Sequence, residues 1–430
     1  MSRRDTSRRD IKRPATQARA ALGRAAMERA AIERAAQGQA AQGQAAQGQA
    51  AQGQAAHQPV AQRSDDRRSH AQPADGPASS ANYSRLVHGL AVALTIAVFP
   101  LIWVGGLVTT YDAGMAVPDW PATYGWNMFA YPASTWLFGP FDLLVEHSHR
   151  LLGTVAGFLS IGLVIAAFRW DSRPWFRWWS IFVLLAVIAQ GGLGGARVVL
   201  DQRTFAMIHG CTGPLFFAIA TVTAAMSSRW WLQTSYSLAR CSPARQAVTP
   251  QSMPDEDRSA PRKMRSGLLW TATFLVLASY TQLILGAQLR HVTAVVRPTV
   301  FMAFVHSHLT LAGVVAMLAL CLAAYVMFGR EPSLKIRRPT RLLLLLVLMQ
   351  IGLGISTWIV KYALPWPEWI PGLAAYTIHA KGYWENMIIT AHMATGSLII
   401  SLASLVATRA WRVRYVQRVT CPQSGDFGTT

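Results

Sequence analysis

The sequence predicts an all-α integral membrane protein whose eight transmembrane helices form two four-helix bundles in parallel repeat. Three observations predict this. The chain of 430 residues is 52% hydrophobic and only 14% charged, too apolar for a soluble protein of its size. Eight stretches of about 20 residues are nearly free of charge, and a helix rising about 1.5 Å per residue needs that many to cross the hydrocarbon. Motifs in the first four stretches also recur in the last four.

Residues 1–85 stand apart. They are rich in Arg, Ala and Gln, and the pentad Ala-Ala-Gln-Gly-Gln runs four times from Ala35 to Gln54. With so few large apolar groups this segment is expected to be a disordered cytoplasmic tail. Its Ser7 to Lys12 run is faintly like a twin-arginine signal, but no apolar stretch follows for about 70 residues, where an export signal has one at once. An organelle transit peptide remains an alternative reading of the Arg-rich start.

The spans follow at 86–108, 146–168, 178–197, 205–227, 267–289, 300–328, 342–360 and 386–408. They divide the chain into an N-terminal bundle (86–228), a basic linker (229–266), a C-terminal bundle (267–408) and a tail (409–430). The segments at 169–177, 229–266, 329–341 and 409–430 carry nineteen Lys and Arg, and the alternate loops only six. The positive-inside rule therefore puts both termini in the cytoplasm and the 109–145 loop outside. The same distribution accounts for the net charge of +20 without a nucleic-acid partner, which would need one basic patch. The lipid bilayer is the partner it implies. Cys211, Cys241, Cys321 and Cys421 have no paired spacing, so no disulfide framework is expected.

Three pairs of motifs define the repeat. Glu146-His147-Ser148-His149-Arg150 is echoed by Val305-His306-Ser307-His308-Leu309, and Gln190-Gly191-Gly192-Leu193-Gly194 by Gln350-Ile351-Gly352-Leu353-Gly354. Ile208-His209 through Gly213 is echoed by Ala391-His392 through Gly396. An even number of spans per copy makes the repeat parallel. The glycines suggest close helix approach.

Four histidines occupy matched places: His149 and His209, then His308 and His392. Each lies within about nine residues of the outer end of an even-numbered span. Two helices presenting one imidazole each at one depth are suited to the two axial positions of a heme. Copper or zinc is the rival, because His147/His149 and His306/His308 are His-x-His pairs. Residues two apart on a helix point about 200° apart, however, so only one of each pair faces the bundle, and His149 and His308 are the better placed. His147 and His306 are left between structural and accessory roles.

The copies differ most beside the first ligand. Glu146 lies one turn from His149 on the same face, where the second half has Val305, and Arg150 has Leu309 as its counterpart. A carboxylate at the edge of a membrane helix is costly unless paired, and beside a heme ligand it suggests a base. The first half is thus expected to be reactive and the second to transfer electrons. Arg150 either pairs with a heme propionate, holds Glu146 charged, or is a plain interfacial arginine. The loop from Thr109 to Val145, with Trp120, Trp126, Trp136 and several Gly and Pro, either caps the first bundle or serves as an aromatic anchor.

Gly105 to Thr109, Asp119-Trp120-Pro121 and Glu146 to Gly153, with eight spans and four repeated histidines, resemble the heme A synthases of cytochrome oxidase assembly over about residues 86–408. The resemblance implies oxidation of the C8 methyl group of heme O to a formyl group. It implies heme b as cofactor on His308 and His392, heme O between His149 and His209 with Arg150 alongside, and Glu146 as the catalytic carboxylate. It also implies a bacterial plasma membrane or mitochondrial inner membrane location, with a heme O synthase and oxidase assembly factors as partners. Bacterial members with a cysteine pair in the first outer loop differ from this chain, which has no Cys between 109 and 145, so no thiol relay is expected. A diheme b-type electron-transfer cytochrome working with quinol and a repeat-built transporter are the competing readings.

Overall fold

The computed structural model describes residues 84–239, 266–291, 296–329, 333–362 and 382–420. The expectations for residues 1–83 lie outside the described residues. Among the described residues eight helices are long and apolar enough to cross a membrane. They are α1 (Arg85–Thr110), α3 (Phe141–Trp170), α4 (Pro174–Leu200), α5 (Arg203–Ser227), α7 (Ser266–Arg290), α8 (Pro298–Phe328), α9 (Leu334–Tyr362) and α10 (Tyr383–Thr420). Two shorter helices accompany them: α2 (Ala133–Leu137) in the first loop and α6 (Arg229–Ala239) after the fourth span. The chain is a multi-pass membrane protein.

Helices form here because a segment crossing lipid must satisfy every backbone polar group within itself. Ser84 starts α1 by accepting the Val87 N–H at 3.3 Å. Pro174 and Pro298 open α4 and α8 at the position where a missing N–H costs nothing. Asp201, in the left-handed region at φ 44°, ends α4 and lets the chain reverse into α5. Large apolar side chains such as Phe158, Ile165, Leu185, Leu320 and Leu345 are exposed along the spans, as lipid-facing positions require.

Each predicted span falls inside an observed helix. The helices run further than the apolar stretches, most of all α10, which continues from the expected end at 408 to Thr420. Charge marks where lipid ends, but nothing there stops a helix. The extension packs on α6, where Arg412 bonds the Trp231 carbonyl at 3.2 Å and Trp411 stacks on Trp231. The linker read at 229–266 therefore begins with a helix.

In the first half α1 packs on α3 and α5, and α4 on the same two. In the second, α7 and α9 each pack on α8 and α10. The halves meet where α10 lies against α1 and α5, and α7 against α5. Each half has its own apolar core. The first comprises Val87, Ala91, Leu94, Val98 and Ile102 of α1, spaced on one helical face, with Ala156, Leu163, Phe176, Val183, Phe216 and Phe217. The second includes Leu268, Leu275, Val315, Leu322, Leu343, Ile399 and Val406. Both cores lie toward the ends of the spans that carry Arg85 and Thr420, the tail face. At the other end, the loop face, the helices carry the four repeated histidines.

Candidate heme and carboxylate site

At the histidine level one arrangement occurs four times. His149 on α3 lies against Gly105 on α1, and a Cβ on that glycine would come within 2.6 Å of the ring. His209 lies against Gly194, His308 against Gly286 and His392 against Gly354, with the corresponding distances 3.3, 3.1 and 3.2 Å. In every case the glycine is on the preceding span, and its missing side chain makes room for the imidazole. The expectation that glycines in the Gln-Gly motifs bring helix backbones together is not met: Gly194 and Gly354 receive an imidazole ring, Gly195 receives Trp120, and a Cβ on Gly191, Gly192 or Gly352 would meet nothing within 4 Å.

The carbonyl one turn before Gly105 orients the His149 ring. His149 Nδ1 lies 3.1 Å from the Leu101 carbonyl oxygen. A carbonyl can only accept, so Nδ1 carries the proton and Nε2 has a free lone pair. The corresponding backbones of Gln190, Gln282 and Gln350 lie near His209, His308 and His392. In those three Nδ1 falls short of hydrogen-bond geometry.

The structure brings the predicted pairs together. The His149 and His209 rings are perpendicular with centroids 6.1 Å apart, and His308 lies within Coulombic reach of His392. Two imidazoles bound to one metal from opposite sides, at about 2 Å per bond, have centroids roughly 6 Å apart. The separation of the first pair is of that order. Among the described residues no three His, Cys, Asp or Glu side chains converge on a metal-ion site.

Glu146 is 3% exposed and fully engaged. Its carboxylate accepts the Val117 N–H and one Arg150 Nη2–H, both at 2.9 Å. Arg150 also donates to the carbonyls of Val117 at 2.7 Å, Asp119 at 2.6 Å and Ala122 at 2.9 Å. Of its predicted alternatives, the guanidinium adopts the partnership with Glu146, and it clamps the first loop to α3 as well. Val305 and Leu309 have no means of making this knot in the second half.

The loop covers the loop face of the first half. Its Tyr124-Gly125 corner has both residues at positive φ, 49° and 75°, inside a two-way backbone pairing of Thr123 with Trp126. Asp119 accepts from the backbone of Tyr124 at 2.8 Å and Gly125 at 2.7 Å. Burial alone would raise its carboxyl, but these donors and the nearby Arg150 outweigh it and hold the group below the usual carboxylate range. Trp120 fills the space left by Gly195, and Arg197 lies against Gly114.

His147 is fully buried beneath this loop, with Nδ1 3.3 Å from Thr123 Oγ1 and its ring packed on Trp136 and Tyr131. It faces the loop while His149 faces α1 and His209, as residues two apart on a helix must. His306 is exposed. Sequence reasoning passed over Gly105 and Gly286 as ring seats. Their visible signal was a glycine on each span before a repeated histidine.

Fold and site together define a polytopic helical membrane protein that presents paired histidines, with one buried carboxylate, at one end of its bundle. The profile of the family described as cytochrome oxidase assembly protein matches residues 88–304, and the chain belongs to that family. The matched stretch contains Glu146, His149 and His209 and ends just before His308. Comparison with curated proteins gives no match.

Proposed function

We propose that this member of the family is a heme A synthase, an oxidoreductase that converts the C8 methyl group of heme O to the formyl group of heme A. The observation that carries the proposal is the asymmetry between the halves. A buried carboxylate, Glu146, stands one turn from His149, while its counterpart beside His308 is Val305. Two electron-transfer sites would not need that difference, and a site that removes protons from a substrate would.

In this reading His149 and His209 hold heme O, and His308 and His392 hold heme b, which supplies reversible one-electron chemistry when bound. Glu146 is the proton acceptor for oxidation of the methyl carbon. Its position is set from two sides, by the Val117 N–H and by Arg150. The loop over α3 excludes bulk water from the carboxylate, which strengthens its interactions there. Heme O synthase and the oxidase assembly machinery are the partners this reading implies. Its location is a bacterial plasma membrane, or a mitochondrial inner membrane, with the loop face outward.

The test is expression together with a heme O synthase in cells lacking heme A, followed by chromatography and mass analysis of extracted hemes. Heme A is expected with the wild type and not with Glu146→Gln. Heme b retained with heme O unchanged, while the synthase is active, would instead establish a diheme electron-transfer cytochrome. Protein without any heme would favour a transporter.

A further inference from the structure

Arg290 is the last residue of α7, one turn beyond Gly286, the seat of His308. Its guanidinium crosses the seam between the halves. Nη2 donates to the Gly106 carbonyl of α1 at 3.0 Å and to Thr110 Oγ1, and Nη1 lies 3.1 Å from the sulfur of Met393, the residue after His392. Among the described residues nothing anionic answers it. The ion pairs among the described residues are Glu146 with Arg150 and Asp171 with Arg173. Arg197 has Glu146, Asp112 and Asp201 within Coulombic reach, and Lys361 has Glu385. Among the described residues Arg290 has only neutral acceptors, one of them a thioether, which is weak.

Arg290 is half-buried, and a guanidinium partly withdrawn from water without a counter-charge carries a desolvation cost that an anionic ligand would offset. The local field has the same sign. His291, just beyond the span, is held down to about 4 by burial and by Arg290, Arg197, Arg203 and Lys361. Resting on the heme reading above, we propose that Arg290 binds a propionate carboxylate of the heme held by His308 and His392. The place is right for that group. A heme at the level of His308 and His392 stands beyond the second apolar core, and Arg290 is one turn further toward the loop face, about 6 Å along the helix. The Nη1 and Nε edge is not used by oxygen acceptors, and it has the fork geometry that suits a carboxylate. An anionic lipid headgroup is the poorer occupant, because the guanidinium points into the junction of α1, α7 and α10.

The same residue would join the two sites. Gly106 and Thr110, which it holds on α1, neighbour Gly105, the seat of His149, and Gly106 also receives the Met393 side chain. A carboxylate on Arg290 would therefore tie the second-half heme to the helix that supports the first-half ligand.

The test compares heme b with its dimethyl ester, whose propionates carry no charge. Full-length protein bearing His149→Ala and His209→Ala, so that one site titrates, is depleted of heme and titrated in neutral detergent. Heme b is expected to bind at least roughly tenfold more tightly than the ester, and Arg290→Gln to remove most of that preference while Arg290→Lys keeps part of it. In protein with both histidine pairs intact, the propionate bending mode in resonance Raman spectra of bound heme should shift in Arg290→Gln. A preference unchanged by Arg290→Gln, equal weakening of heme and ester, or restoration by anionic lipid would overturn the assignment. No binding of either porphyrin by otherwise unaltered protein would instead sink the heme reading, and this inference with it.

Discussion

His149 depends on Gly105 for its position, since a methyl group on residue 105 would lie 2.6 Å from the imidazole Cε1. The ring is also tethered to the Leu101 carbonyl from the same helix, so it has little room to retreat. If His149 is a heme ligand as proposed, Gly105→Ala is expected to misplace it and reduce bound heme to the second-half site, measured as heme per polypeptide. Gly157→Ala on α3 meets nothing within 4 Å and is the control. It should leave heme content unchanged and, by helix propensity alone, stabilise slightly, by up to about 1 kcal/mol.

The three remaining seats are looser, with contacts of 3.1 to 3.3 Å that a small ring shift relieves. Alanine at Gly286 or Gly354 is expected to keep heme bound and to alter its spectrum or midpoint potential, because the ring tilts without leaving. Loss of heme from these variants equal to that from Gly105→Ala would show that the seats are equally tight.

The Glu146–Arg150 knot predicts different outcomes for its two members. Glu146→Gln keeps an oxygen for the Val117 N–H, so the loop should stay packed. Arg150→Ala strips Glu146 of its counter-charge and leaves three loop carbonyls without their donor. Both side chains are under a tenth exposed, so the loss belongs with broken buried pairs, about 3 kcal/mol or more. The loop has no Lys or Arg between 109 and 145, but many aromatic residues. Chymotrypsin at neutral pH should therefore cleave it much faster in Arg150→Ala than in the wild type or Glu146→Gln.

How far the sequence foretold these features depends on what kind of signal each leaves. The spans were legible because lipid demands long apolar runs, whereas the extension of α10 past 408 and helix α6 were not, because a basic residue ends a span without ending a helix. The four histidines stood out by repetition. The seat at Gly105 did not, because a lone helical glycine carries no sign of which side chain will occupy its empty volume. The role of Arg150 stayed open for a related reason. Its partners are backbone carbonyls of Val117, Asp119 and Ala122, which any residue type supplies.

Asp119 gives the loop a pH dependence of definite sign. Its carboxyl titrates lower in the folded loop than in an unfolded chain, where the value is about 4. The carboxylate therefore contributes its full stabilisation above about pH 4 and loses it as pH falls through the lower folded value. Amide protection factors for Thr123 to Trp126 should be constant from neutral pH to about pH 4 and decline in stronger acid. Asp119→Asn should show lower protection throughout and no such decline. A decline in the wild type between pH 7 and 5 would point to another titrating group.

Membrane orientation yields the last prediction. Lys and Arg are concentrated at the ends of the spans that carry Arg85 and Thr420, and the 109–145 loop has none, so the loop should face away from the cytoplasm. Phe138 in that loop is 87% exposed and makes a clean reporter. A cysteine at 138 should react with a charged, membrane-impermeant maleimide in intact spheroplasts. A cysteine at Arg229, on the opposite face, should react only after lysis. The reverse pattern would place the Glu146 knot and all four histidines toward the cytoplasm, and the proposed function would then require heme O to be delivered from that side.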